Sequence, residues 1–188
     1  MPWPALAGRQ LAAALLLFAL AACVPAGADF SLGVGTSRIS GHYRLERFVP
    51  EHGPALMVAF KQHHKFIALD AGQTLTHPTA HVVVVGADGA YSVDMPDDVV
   101  SISILFVAPD YLTREFRFQR QVGIGNITYD PALQAMPDWR DHYYTYLLPR
   151  LQHLIVEKRY GLSDREQQQL GDWLRAQQAR LATAATSN

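Results

Sequence analysis

His81-Val82-Val83-Val84-Val85, then Gly86-Ala87-Asp88-Gly89, then Ala90-Tyr91-Ser92-Val93-Asp94-Met95, reads as two strands closed on a tight turn. Asp88-Gly89 supplies the turn, because glycine accepts positive φ at no steric cost. The pattern continues through Val99-Val100-Ser101-Ile102-Ser103-Ile104-Leu105-Phe106-Val107-Ala108, then Pro109-Asp110-Tyr111, and ends with Thr113-Arg114-Glu115-Phe116-Arg117-Phe118. Tyr91, Val93 and Met95 alternate with Ser92 and Asp94, the period of a half-buried strand. Val100, Ile102, Ile104 and Phe106 are expected on one face of the next strand. Its other face starts with Val99, Ser101 and Ser103 and turns apolar at Leu105 and Val107. Phe116 and Phe118 share a face opposite Glu115, Arg117 and Gln119. The unbroken β-branched run Val82–Val85 predicts a strand covered on both faces.

Outward from this stretch, the upstream segment supplies further strands. Tyr43 to Phe48 partly alternates, Gly53-Pro54 marks a turn, and Ala55 to Phe60 is apolar enough for a covered strand. Phe66 to Leu69 reads as one more. Short strands at this spacing, separated by Gly and Pro, indicate a sandwich or barrel. Downstream, Gly123 to Tyr129 reads as a last strand.

Helical spacing follows. Trp139, Tyr143, Leu147, Leu151 and Leu154 fall on one face, with Tyr146 beside them. Asp138 is the expected N-cap. Pro149 lies inside this run and predicts a kink. Ser163 and Glu166 form a capping box for a second helix carrying Leu170, Trp173, Leu174 and Leu181. Such stripes are core by default. The alternative is a partner surface with Trp139, Tyr143, Tyr144 and Trp173 as anchors.

The chain begins with the single charge Arg9 and a ten-residue apolar run, Leu11–Leu20. A bilayer span needs about 20 residues, so the run suits the centre of a secretion signal instead. Leu20-Ala21-Ala22-Cys23 resembles the lipobox of bacterial lipoproteins, and Cys23 is the only cysteine. The resemblance implies cleavage before Cys23 and a covalent lipid on it. With Val24 next, it implies sorting to the outer membrane, facing the periplasm. Residues 24–40, rich in Gly, Ser and Pro, read as a tether, with a short edge strand over Phe30–Val34 as the alternative.

Asp88, Gly89 and Tyr91, then Pro96, then Tyr111, resemble the carboxypeptidase regulatory-like, transthyretin-like β-sandwich modules. The resemblance covers about a third of the chain beyond the signal and implies an antiparallel β-sandwich. Asp110 replaces the usual glycine, which an Asp in a left-handed turn accommodates. These are turn and core residues, and they carry no catalytic role across. The expected organisation is residues 1–22 signal, 23–40 lipidated cysteine and tether, 41–130 β-sandwich, and 131–188 a two-helix appendage.

Composition is that of an ordinary globular protein: 49% hydrophobic, 18% charged, net charge −1. Charge is mixed rather than blocked, so neither nucleic acid nor an electrostatic membrane patch is indicated. Eight histidines raise the question of a metal. His63 and His64 are adjacent and point apart on a strand. His77 and His81, four residues apart in extended chain, lie about 13 Å from each other, too far for one ion. No metal or cofactor is therefore expected, with His63, His64, His77 and His81 as the candidate ligands should folding converge them. No Gly-x-Ser-x-Gly elbow is present. Asp94, Asp97 and Asp98 read as a solvated acidic turn. The favoured function is a non-catalytic outer-membrane lipoprotein serving as an accessory or binding subunit for another envelope protein. The alternatives are a small-ligand module, for a metal or a saccharide, and an envelope hydrolase.

Overall fold

In the computed structural model, which describes residues 28–32, 37–45, 52–63, 78–120 and 124–186, the alternating stretch builds most of one sheet. Its strands are β4 (Ala55–His63), β5 (Thr79–Val85), β7 (Val99–Val107) and β8 (Arg114–Gln119), antiparallel throughout in the order β5-β4-β7-β8. A second sheet, in the order β1-β9-β2-β6, contains β1 (Ala28–Leu32), β2 (Ser37–His42), β6 (Ala90–Met95) and β9 (Ile124–Tyr129). There β2 pairs antiparallel with β6 and parallel with β9. Two short strands, β3 (Arg44–Leu45) and β10 (Ala132–Leu133), pair parallel at the side.

The two sheets close on one apolar core, as the alternation requires. Met57, Ile102, Ile104, Phe106 and Phe118 from one sheet meet Ile39, Tyr91, Val93, Met95, Ile127 and Tyr129 from the other. Phe106 is the hub, with the rings of Tyr91 at 5.2 Å and Tyr43 at 5.6 Å, both edge-on. One expectation fails at the start of β7. His63 pairs with Val99 while Gln62 pairs with Ser101, so the register shifts and Val100 is the extra residue. Val99 therefore turns into the sandwich core and Val100 does not share the face of Ile102.

Residues 24–40 are not wholly a tether. Their described part supplies β1 and most of β2, and Ile39 is fully buried. Pairing on both sides of β2, rather than bulky side chains, brings this polar segment into the sheet. Two turns follow the expected chemistry. Gly89 takes φ 71, and Asp110 takes φ 68, the one non-glycine residue at positive φ among the described residues.

The other face of the first sheet is also apolar, and helices cover it. These are α1 (Trp139–His142), a π turn (Tyr143–Leu147), α2 (Leu148–Val156), a 3-10 turn (Lys158–Tyr160) and α3 (Asp164–Thr186). Trp139, Tyr143, Leu147, Leu151, Leu170, Trp173 and Leu174 pack on Leu56, Val58, Val82, Leu105 and Val107. The molecule is thus three layers: sheet, sheet, helices. Pro149 does not simply kink the helix. The backbone widens into the π turn just ahead of it, where an α-helical carbonyl would meet the proline ring, and Leu148 N–H donates to Tyr143 O five residues back. Asp138 holds the N-cap position of α1, but its side chain makes no cap bond. The capping box at α3 is complete. Ser163 N–H donates to Glu166 Oε2 at 2.9 Å, and Glu166 N–H to Ser163 Oγ at 3.4 Å.

Candidate groove between the middle sheet and the helices

The helix-facing side of β7 changes character along its length. Leu105 and Val107 lie beneath the helices, while Ser101 and Ser103 lie beyond the apolar contact. Beyond that contact helix and sheet part, and a groove of about 760 Å³ opens. Its floor is Gln62, Ser101, Ser103, Glu115 and Arg117. Its walls are Phe60, Tyr160 and the helical residues Thr145, Tyr146, Pro149, Arg150 and His153. This volume is ordinary for a small-ligand site, which spans roughly 300–1,000 Å³.

Two periodicities meet across the groove. Along the strand, Thr113, Glu115 and Arg117 point one way by the two-residue alternation. Along the helix, His142, Tyr146 and Arg150 stack at four-residue intervals. They join in rungs. His142 Nε2 lies 2.9 Å from Thr113 Oγ1. Arg150 Nη2 donates to Glu115 Oε2 at 2.7 Å, and its Nη1 to Tyr146 Oη at 2.6 Å. The Arg150 guanidinium also lies 5.8 Å from the ring centres of Phe60 and Tyr146. Burial pulls the Arg150 pKa down, but the Glu115 carboxylate outweighs it and the group is held above its ordinary value. Burial lowers the His142 pKa. Its ring stacks on Tyr146 at 5.1 Å. The walls are therefore preset by ion pairing and ring stacking. On the floor, Arg117 Nη2 donates to Ser101 Oγ at 3.1 Å. Ser103 and Gln62 have no side-chain hydrogen-bond partner among the described residues.

Of the proposed partner anchors, Trp139, Tyr143 and Trp173 are 2%, 0% and 3% exposed. They pack against the sheet, Tyr143 Oη donates to Leu174 O at 2.9 Å, and Trp173 Nε1 donates to Pro54 O at 2.8 Å. That packing assigns them to the interior and leaves Tyr144 as the one that reaches solvent. Tyr146, which the groove brings forward, was legible only as the residue beside the buried stripe.

Of the candidate metal ligands, the two that are described do not share a partner. His63 and His81 each face a different carboxylate, Asp98 at 2.6 Å and Glu166 at 2.5 Å. No group of three or more His, Cys, Asp or Glu side chains suited to a metal occurs among the described residues. His64, His77 and Cys23 lie outside the described residues, as does the expected strand Phe66–Leu69. His63 also contacts Thr79 Oγ1 through Nε2 at 2.9 Å, so Asp98, His63 and Thr79 form a hydrogen-bonded line. The bond from His63 holds the Asp98 carboxyl below its ordinary range. The line has the order of a hydrolase triad, but none of its members lines the groove. No helix among the described residues is long and apolar enough to cross a membrane.

No family model matches the chain, and no curated protein matches it. A solved structure described as "Type VI membrane complex" is similar in part. It is 18% identical, the match covers 56% of this chain and 100% of that one, and the TM-score is 0.32.

Proposed function

We propose that this protein is a lipid-anchored, non-catalytic binding module of the cell envelope, and that the groove holds a saccharide. The observation that carries the reading is the pairing of an exposed aromatic side chain with unspent hydrogen-bonding groups. Tyr146 is 45% exposed on one wall, while the Ser103 hydroxyl and the Gln62 amide are unpaired on the floor among the described residues. A sugar ring offers an apolar C–H face and a rim of hydroxyls, which such a surface complements. The Leu20–Cys23 motif supports the anchor and the outer-membrane, periplasm-facing location. The Asp88-Gly89-Tyr91 turn and the left-handed Asp110 support a transthyretin-like type for the sandwich.

The test is calorimetric titration of the full chain in mild detergent with a panel of oligosaccharides. Binding that weakens about tenfold in Tyr146→Ala, with the melting temperature kept, supports the reading. No heat from any oligosaccharide at millimolar concentration refutes it. Palmitate labelling tests the anchor and should vanish in Cys23→Ser.

A second reading, an accessory subunit for an envelope protein, rests on the exposed Tyr144 and Val156, the latter 76% exposed. It predicts a protein that co-purifies from solubilised membranes and is lost in Val156→Asp.

A further inference from the structure

The rungs across the groove are unequal. The first is closed by Thr113 and His142, the second by Glu115 with Arg150 and Tyr146. The third strand position, Arg117, meets no helical partner. It lies where the helix has parted from the sheet, and among the described residues it has no carboxylate. Its one side-chain bond among the described residues is to the neutral Ser101 hydroxyl.

Charge follows the same order. Glu115 and Arg150 cancel each other within the second rung. Arg117 is then the uncompensated charge on the groove floor, and His153 on the facing wall is no anion. A guanidinium is a planar fork of N–H donors that matches a carboxylate with two parallel bonds. Ser101 engages one nitrogen, Nη2, and the others are unspent. The neighbouring hydroxyl and amide, Ser103 and Gln62, suit the uncharged rim of the same ligand.

We propose that the groove selects acidic saccharides, with the ligand carboxylate seated on Arg117 as the third rung. The inference rests on the saccharide reading above and narrows it to sugars bearing a carboxylate. Arg117 is the specificity-determining residue, and Tyr146 and Ser103 bind the part of the sugar that acidic and neutral ligands share.

The experiment compares trigalacturonic acid with its methyl ester, which removes the charge and leaves the ring hydroxyls. Both are titrated into the full chain in mild detergent at low salt. The acid is expected to bind at least about tenfold more tightly than the ester, the size of a charge-assisted hydrogen bond. Arg117→Gln is expected to erase that preference while the ester binds as before. Arg117→Lys, a point charge without the fork, should keep part of it. Arg117 is exposed, so neither substitution disturbs the core, and a thermal melt checks this. Equal affinity for acid and ester in the wild type overturns the inference and leaves the saccharide reading standing. A preference that survives Arg117→Gln overturns the role of Arg117. A wild type that binds neither form removes the saccharide reading and this inference with it.

Discussion

Glu166 joins two layers of the molecule, and replacing it measures that junction. Its Oε2 accepts Ser163 N–H at 2.9 Å and the Ser163 hydroxyl at 2.5 Å, completing the cap of α3. Its Oε1 accepts Val82 N–H at 3.0 Å and faces His81 Nδ1 at 2.5 Å. One carboxylate thus caps a helix and satisfies an amide on β5, the outer strand of its sheet. Glu166→Ala removes the returning half of the capping box, the bond from Ser163 N–H, worth about 1 kcal/mol. It also strands the Val82 amide, which costs about 1–3 kcal/mol. The sum is about 2–4 kcal/mol, or a fall in melting temperature of about 4–16 °C for a chain of this size. The pH dependence has a definite sign. Burial raises the Glu166 pKa, but the bonds from Ser163, Val82 and His81 outweigh it and bring it to about 2, against 4.5 for the free side chain. A depressed folded value stabilises the fold above the unfolded pKa and loses that contribution as pH falls through the folded one. The ceiling is about 3 kcal/mol, reduced by the part of the side chain that meets solvent. Glu166→Gln should therefore melt well below wild type at pH 6 and close on it at pH 3. Differential scanning calorimetry at both pH values reads this. A gap of equal width at pH 3 and pH 6, or a Glu166→Ala protein melting within about 2 °C of wild type, would show that the junction is not electrostatic.

Three further substitutions probe other layers. A Cβ on Gly41 would collide with the Tyr129 backbone carbonyl on the neighbouring strand, so Gly41→Ala should cost at least about 2 kcal/mol by urea titration. Tyr143→Phe deletes the buried hydroxyl that bonds Leu174 O and should cost about 1 kcal/mol, leaving ligand binding at the groove unchanged. Asp110 bonds Arg180 twice, each at 3.0 Å, and holds φ 68. Asp110→Asn should lose the charge that pairs with Arg180 and His52, whereas Asp110→Ala should melt lower still, by the additional strain of about 1 kcal/mol.

How much of this was readable depended on how local the signal was. Tyr91, Val93 and Met95, or Phe116 and Phe118, declare their buried face by alternation, because a strand's side-chain period is two whatever surrounds it. The capping box of Ser163 and Glu166 is equally local. What Glu166 does with its other oxygen was not legible, since Val82 lies 84 residues away and only the packing of α3 on β5 brings it near. The segment at 24–40 read first as a tether, with an edge strand only as the alternative, for the same reason. Ile39 is fully buried, and the place of β2 in the sheet comes from partners on both sides, which composition does not report. Val100 was misplaced by a one-residue register shift that no pattern in β7 announces.

The groove occupies the middle ground between these cases. Its two walls were each written in the chain: a strand face reading Ser101, Ser103, Leu105, Val107, and a helix face reading His142, Tyr146, Arg150. A strand covered along its whole length has no use for two serines at one end of an otherwise apolar face, because burying unpaired hydroxyls costs free energy. That end therefore had to lie open or meet polar partners, and in the structure it does both. Glu115 and Arg117 stand beside it on the next strand, and only the first of them is matched by a charge from the helix. The information missing from the sequence was the alignment of the two periods, which decides that Glu115 faces Arg150 and that Arg117 faces the open groove. Alignment of this kind is set in the apolar layer that the helices share with Leu105 and Val107. A substitution there, far from any ligand, would shift the helix and alter which rung stands empty.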